Sequence, residues 1–144
     1  MKLTIELVPK TAWYSNVRSL VSKEQWDVIR KRCYLQANYK CEICFGKGPA
    51  HPVECHEIWE YDDVNHIQTL TGLIALCPKC HQVKHAGLAS INNKTDEVIR
   101  QLMIVNSMTK QEAMDYHANA FELWHNRSKN EWKCNTDYLT TYMK

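Results

Sequence analysis

Leu3, Ile5 and Leu7 alternate with Thr4, Glu6 and Val8 before Pro9, which is the two-residue period of a short strand. Residues 10–21 lack a period. Ser22-Lys23-Glu24-Gln25 then matches a capping box, and a helix is predicted over residues 23–38, with Trp26, Ile29, Cys33 and Ala37 on one face. Phe45-Gly46-Lys47-Gly48-Pro49 signals a turn. Residues 53–61 read as a strand, Asp62-Asp63-Val64-Asn65 as a turn, and Ile67 to Leu76 as the return strand. A short helix is expected after Cys77-Pro78, stopped by Gly87. Thr95-Asp96-Glu97 opens a helix with Val98, Leu102 and Val105 on one face. Thr109 to Glu112 is a second capping box, leading a helix that lines up Ala113, Met114, His117, Phe121 and Trp124. These last two helices should pack as a hairpin. Trp132 to Tyr142 is expected to be extended and to pair with the N-terminal strand.

The pattern predicts an α+β protein whose 144 residues form one compact unit. Residues 1–40 supply a strand and a basic helix, 41–90 a central core, and 91–144 a helical pair with an extended tail. Hydrophobic residues make up 44 % of the chain, and four Gly and four Pro are too few for disorder. Thr4 and Glu6 interrupt the N-terminal apolar stretch, so no signal peptide is expected, nor any membrane partner, and the predicted location is cytoplasmic. The net charge of +2 is uneven: residues 1–50 carry nine Lys/Arg against four Asp/Glu, and residues 51–90 two against five. A basic segment beside an acidic one suits a protein that attracts phosphate and holds cations.

The chemistry concentrates in cysteine and histidine. Cys41-x-x-Cys44 and Cys77-x-x-Cys80 are two thiolate pairs, and a CxxC turn brings both of its sulfurs to one ion, so the four predict a structural Zn²⁺. With an odd count of seven cysteines and no secretion signal, metal binding fits better than disulfides. His81 and His85 stand at i and i+4, one face of a helix and a chelating spacing. Glu54-Cys55-His56-Glu57 lies between the two cysteine pairs. Cys33 and Cys134 read as small core residues, and His117 and His125 as structural or solvated. Cys55 is either a ligand or a buried thiol. Trp13, Tyr14, Asn16 and Arg18 mix aromatic and polar groups as a nucleic-acid contact would.

On the residues Cys41-x-x-Cys44, Cys55-His56-Glu57-Ile58 and Leu76-Cys77-Pro78-Lys79-Cys80-His81-Gln82-Val83-Lys84-His85, the stretch 41–87 resembles the HNH endonucleases of the ββα-metal fold. The resemblance covers about a third of the chain. It implies a zinc-stabilised ββα-metal core flanked by N- and C-terminal helices, and hydrolysis of DNA to 5′-phosphate and 3′-hydroxyl ends. It also implies a catalytic Mg²⁺ or other divalent cation held by His81 and His85. His56 is then the general base; in a second register His56 is a ligand and Glu57 the base. The chain departs from the family at Cys55, where Asp or His is usual, and near Thr71-Gly72, where the family places an asparagine that orients the base. Asn65, Asp62 and Asp63 are candidates to replace that asparagine, against the simpler reading that they only make the turn, and His66 is a further candidate ligand or substrate contact. Arg18, Arg30, Lys31, Arg32 and Lys84 are the residues expected to hold the DNA backbone. The rival reading is a catalytically weakened nucleic-acid-binding module of the same fold, and a third is a protein-interaction adaptor docking through its helical pair.

Overall fold

The computed structural model describes residues 1–13 and 16–142, so Tyr14 of the proposed aromatic contact lies outside the described residues. The chain begins as an arm without regular secondary structure and a single 3-10 turn. It continues through α1 (Val17–Leu20), α2 (Lys23–Gln36), the first cysteine turn, the hairpin β1 (Glu54–Asp62) and β2 (Ile67–Leu76), then α3 (Pro78–Lys84), α4 (Ala86–Ile91), α5 (Thr95–Asn106), α6 (Lys110–Arg127), β3 (Lys133–Asn135) and α7 (Tyr138–Tyr142). This is α+β, with a three-stranded sheet in the order β1-β2-β3.

Local sequence explains most of these boundaries. Ser22 and Thr109 form capping boxes with Gln25 and Glu112, satisfying the free N–H groups that open α2 and α6. Asp62 accepts the backbone N–H groups of Val64 and Asn65 at 3.0 Å each, which makes the hairpin turn. β1 and β2 pair antiparallel from Glu54↔Leu76 to Asp62↔Ile67, with an irregularity at Ile58/Trp59 that leaves Thr71 without a partner in the register. Residues 54 and 56 therefore face one side of β1, and 55 and 57 the other.

Two packed cores flank the sheet. One joins Leu3, Leu76, Val83, Val98 and Leu102 to the buried cysteines, and the other gathers Val17, Ile29, Trp59, Leu70 and Leu139. The predicted faces of α2 and α5 are buried through Ile29 and Cys33, and through Val98 and Leu102. On α6 the inner face instead runs through Ala113, Tyr116, Ala120 and Phe121, and Met114 is left exposed. Among the described residues no helix is long and apolar enough to cross a membrane.

Three expectations are corrected. Leu3 and Ile5 are buried, but the segment Leu3 to Leu7 forms no strand and joins no ladder. Its backbone is satisfied by side chains: Asn106 accepts the Leu3 N–H at 2.9 Å and donates to its carbonyl at 2.8 Å, and the Tyr116 hydroxyl accepts the Ile5 N–H at 2.9 Å. The tail is extended only over Lys133–Asn135 and pairs parallel with Ile67–Thr69 of β2, not with the N-terminal arm. Gly87 does not stop a helix; the break falls at His85, with φ −101° and ψ 47°, and Gly87 lies within α4.

Candidate metal centres and the adjoining groove

The four CxxC sulfurs converge, all within 4.8 Å of one another. Cys44 and Cys77 Sγ are 3.6 Å apart, near the spacing of about 3.8 Å for two sulfurs at about 2.3 Å from a tetrahedral zinc. Backbone N–H groups point at the sulfurs: Cys44 to Cys41 and Gly46 to Cys44, each at 3.4 Å, and Cys80 to Cys77 at 3.5 Å. Cys77 caps α3, and Pro78 follows at its first turn, where a missing N–H costs nothing. Contact between Cys41 and Cys80 draws the Cys41 thiol down, helped by the N–H groups of Cys44, Cys77 and Ile43 against burial, and pushes the Cys80 thiol up; burial also raises Cys77. Four sulfurs at this spacing with N–H groups aimed at them suit zinc, and the group can hold such an ion.

The first turn is tied to the end of β2, just before the second. Glu42 donates its N–H to the Ala75 carbonyl at 2.9 Å, and its carboxylate accepts the Ala75 N–H at 2.7 Å. A Cβ at Gly48 would lie 2.3 Å from the His51 carbonyl and 2.6 Å from Pro78, so only glycine lets the first turn approach α3 this closely.

One turn further along α3 a second cluster forms. Ring nitrogens of His56, His81 and His85 lie within 4.8 Å of one another. His81 and His85 Nε2 are 3.0 Å apart, and the ring centroids of His56 lie 5.3 Å and 5.1 Å from those of His81 and His85. Each of the first two rings is held by a carboxylate. Glu6 of the N-terminal arm meets His56 Nε2 at 3.2 Å, and Glu54 of β1 meets His81 Nδ1. A carboxylate on one nitrogen fixes the ring and leaves the other for a cation. Burial, and then the neighbouring His81 and His56, push His85 down to about 4; burial also lowers His56, against the pull of Glu6. The two rings are therefore neutral at pH 7, the state that binds metal. Burial raises Glu6, but the hydrogen bond from His56 and the charge of Lys84 outweigh it, and its carboxyl titrates below the usual range.

Beside His81 a groove of ≈ 760 Å³ runs between β1 and α2. Arg18, Lys23, Trp26, Asp27, Arg30 and Tyr34 form one wall, and Glu54, Cys55 and His81 the other.

The structure brings together His56, His81 and His85, with Arg18 and Arg30 on the groove nearby. Glu57 points to the other face of β1, where its carboxylate accepts the Val17 N–H, and burial raises its pKa. Cys55 is half-buried at the edge of the groove, its thiol raised first by contact with Cys33 and then by burial, so it stays a neutral thiol. Lys84 was expected to touch DNA, but it is 5 % exposed and its ammonium donates to Thr4 at 2.7 Å and Glu6 at 3.2 Å. Arg32 donates to the Tyr142 carbonyl and lies over the Tyr142 ring at 5.1 Å. Lys31 is exposed but does not line the groove, and Arg30 pairs with Asp27 at 2.9 Å. Asp62 and Asn65 serve the hairpin turn, and Asp63 pairs with Arg127 at 2.8 Å, so none of the three takes the place of an orienting asparagine. His66 packs near Trp132, with ring centroids 5.3 Å apart.

Glu6, Glu54 and Lys23 escaped the sequence reading. Glu54 stood two residues before His56, on the same face of a predicted strand, and that alternation was the available signal. Glu6 carried none, because it meets His56 across 50 residues. Comparison with protein-family models, curated proteins and solved structures finds no match to this chain.

Proposed function

We propose that this protein is a metal-dependent endonuclease of the HNH type that hydrolyses phosphodiester bonds in DNA. The observation that carries the reading is the convergence of His56, His81 and His85, with His81 on the wall of a groove that Arg18, Lys23 and Arg30 also line. On this reading β1, β2 and α3 form the ββα-metal core that the sequence resembles, and the four cysteines hold its structural zinc.

His56 fits the role of cation ligand better than that of base, because its ring joins the other two and its Nε2 is held by Glu6. Three imidazoles suit Zn²⁺, Ni²⁺, Co²⁺ or Mn²⁺ better than Mg²⁺, which favours oxygen donors. A divalent cation there would lower the pKa of water and neutralise charge on the scissile phosphate. Arg18 and Lys23 hold the backbone phosphates along the groove. Glu54 lines the groove wall and its Oε2 holds His81 Nδ1, so this reading assigns to its other oxygen the proton released by the attacking water. Glu57, the alternative base, faces away from the histidines.

The test is nicking of supercoiled plasmid with each divalent ion in turn. Wild type is expected to nick, with Mn²⁺, Ni²⁺ or Zn²⁺ outperforming Mg²⁺, and His81→Ala to lose nicking while keeping one zinc. Binding of DNA with steep salt dependence but no cleavage under any ion would favour the binding module instead.

A further inference from the structure

Glu6 is remote in sequence from every motif of the site, yet it meets a ring at its centre. Its Oε2 lies 3.2 Å from His56 Nε2, and its Oε1 3.2 Å from the buried Lys84 ammonium, which also donates to Thr4 at 2.7 Å. A carboxylate only accepts, so the proton of a neutral His56 must sit on Nε2 and the lone pair on Nδ1. Glu54 acts oppositely on His81: the proton is drawn to Nδ1 and the lone pair is left on Nε2, which faces His85 Nε2 at 3.0 Å. The two carboxylates thus choose opposite tautomers on two rings that approach the same point from different elements.

We propose that Glu6 is a positioning residue that fixes His56 in its Nε2–H tautomer and so presents the Nδ1 lone pair to the cation. The inference deepens the proposed cation site and rests on His56 being one of its ligands. Glu6 itself is placed by an arm that joins no sheet. Asn106 grips the Leu3 peptide from both sides and the Tyr116 hydroxyl takes the Ile5 N–H, so α5 and α6 set the reach of a side chain that serves β1. The arm supplies from outside the core the orientation for which no amide is present near Gly72.

The experiment is long-range ¹H–¹⁵N NMR of the histidine rings in the zinc-loaded full chain, followed by Ni²⁺ titration. The variants are Glu6→Ala and the double change Glu6→Leu with Lys84→Met, which avoids leaving a buried ammonium unpaired. Wild type is expected to show His56 as Nε2–H and His81 as Nδ1–H. In both variants His56 should lose its single tautomer while His81 and the zinc content are unchanged, and Ni²⁺ affinity should fall about 10–100-fold. Retention of the Nε2–H state in both variants overturns the proposal, as does wild-type Ni²⁺ uptake that the variants leave unaltered. If wild type takes up no Ni²⁺ but the His56 tautomer moves in the variants, control by Glu6 stands and the endonuclease reading fails.

Discussion

Cys80→Ser puts the cysteine cluster to its hardest test. Cys80 is 0 % exposed, packs in the same core as Leu76, Val83 and Leu102, and its sulfur accepts the Gln101 amide at 3.3 Å. Structural zinc contributes about 10–16 kcal/mol of apparent binding free energy in small zinc peptides, against a total stability of about 5–15 kcal/mol for a typical domain. Losing even a quarter of that contribution costs about 3 kcal/mol. For a chain of this size that lowers Tm by roughly 10 °C. The assay pairs zinc release to a colorimetric chelator with a thermal melt followed by circular dichroism. Cys134→Ser is the control, since Cys134 is half-buried on β3 and outside the cluster. Cys80→Ser should lose tightly held zinc and melt early, and Cys134→Ser should do neither. A Cys80→Ser protein that retains one zinc and melts with wild type would refute the four-thiolate site.

Further predictions bear on the groove, the histidines and the core. Arg18→Ala and Lys23→Ala should each reduce the salt slope of DNA binding by about 1, measured by fluorescence anisotropy across a salt series. Arg30→Ala should reduce it by less, because its guanidinium is already paired with Asp27. Protons compete with a cation for the imidazole lone pair, and a lowered pKa moves that competition to lower pH. With His85 at about 4 and His56 also lowered, His85 should stay neutral and His56 should protonate only below the ordinary imidazole value near 6.5. Histidine ¹H–¹⁵N NMR of the metal-free protein in which either ring titrates at 6.5 or above would contradict this. Leu70, 2 % exposed against Trp59 and Ile29, should cost about 2–5 kcal/mol on change to Ala, read from urea unfolding.

What the sequence revealed followed the range of the interaction involved. The Ser22 and Thr109 boxes, the Asp62 turn and both cysteine turns are local, and each was legible within four or five residues. The hairpin registered because its hydrophobic period and turn chemistry agree. The N-terminal arm was misread as a strand because alternation reports only which side chains are buried. It cannot tell whether the backbone pairs with a strand or with Asn106 and Tyr116. Lys84 and Arg32 counted as free cations in the sequence, but their partners are Glu6 and Tyr142, 78 and 110 residues away. Gly87 carried a stop signal that His85 pre-empted.

The division of labour between sulfur and nitrogen follows from one short helix. α3 begins with Cys77 as its cap, buries Cys80 within its first turn, and directs His81 and His85 towards β1. Thiolates are the softer donors and hold zinc in a closed set of four, whereas three imidazoles leave room in a coordination shell for water or phosphate. Zinc on the four sulfurs would fix the helix from which two of the three imidazoles project. Glu42 extends that fixation to the end of β2 through its two bonds with Ala75, and Ala75 pairs with Cys55, next to His56 on β1. Every element that supplies an imidazole is therefore braced against the cysteine cluster, while the carboxylates that orient the rings come from the arm and the strand edge. Removing zinc should disarm the histidines without touching them; removing Glu6 should disarm one of them without touching zinc.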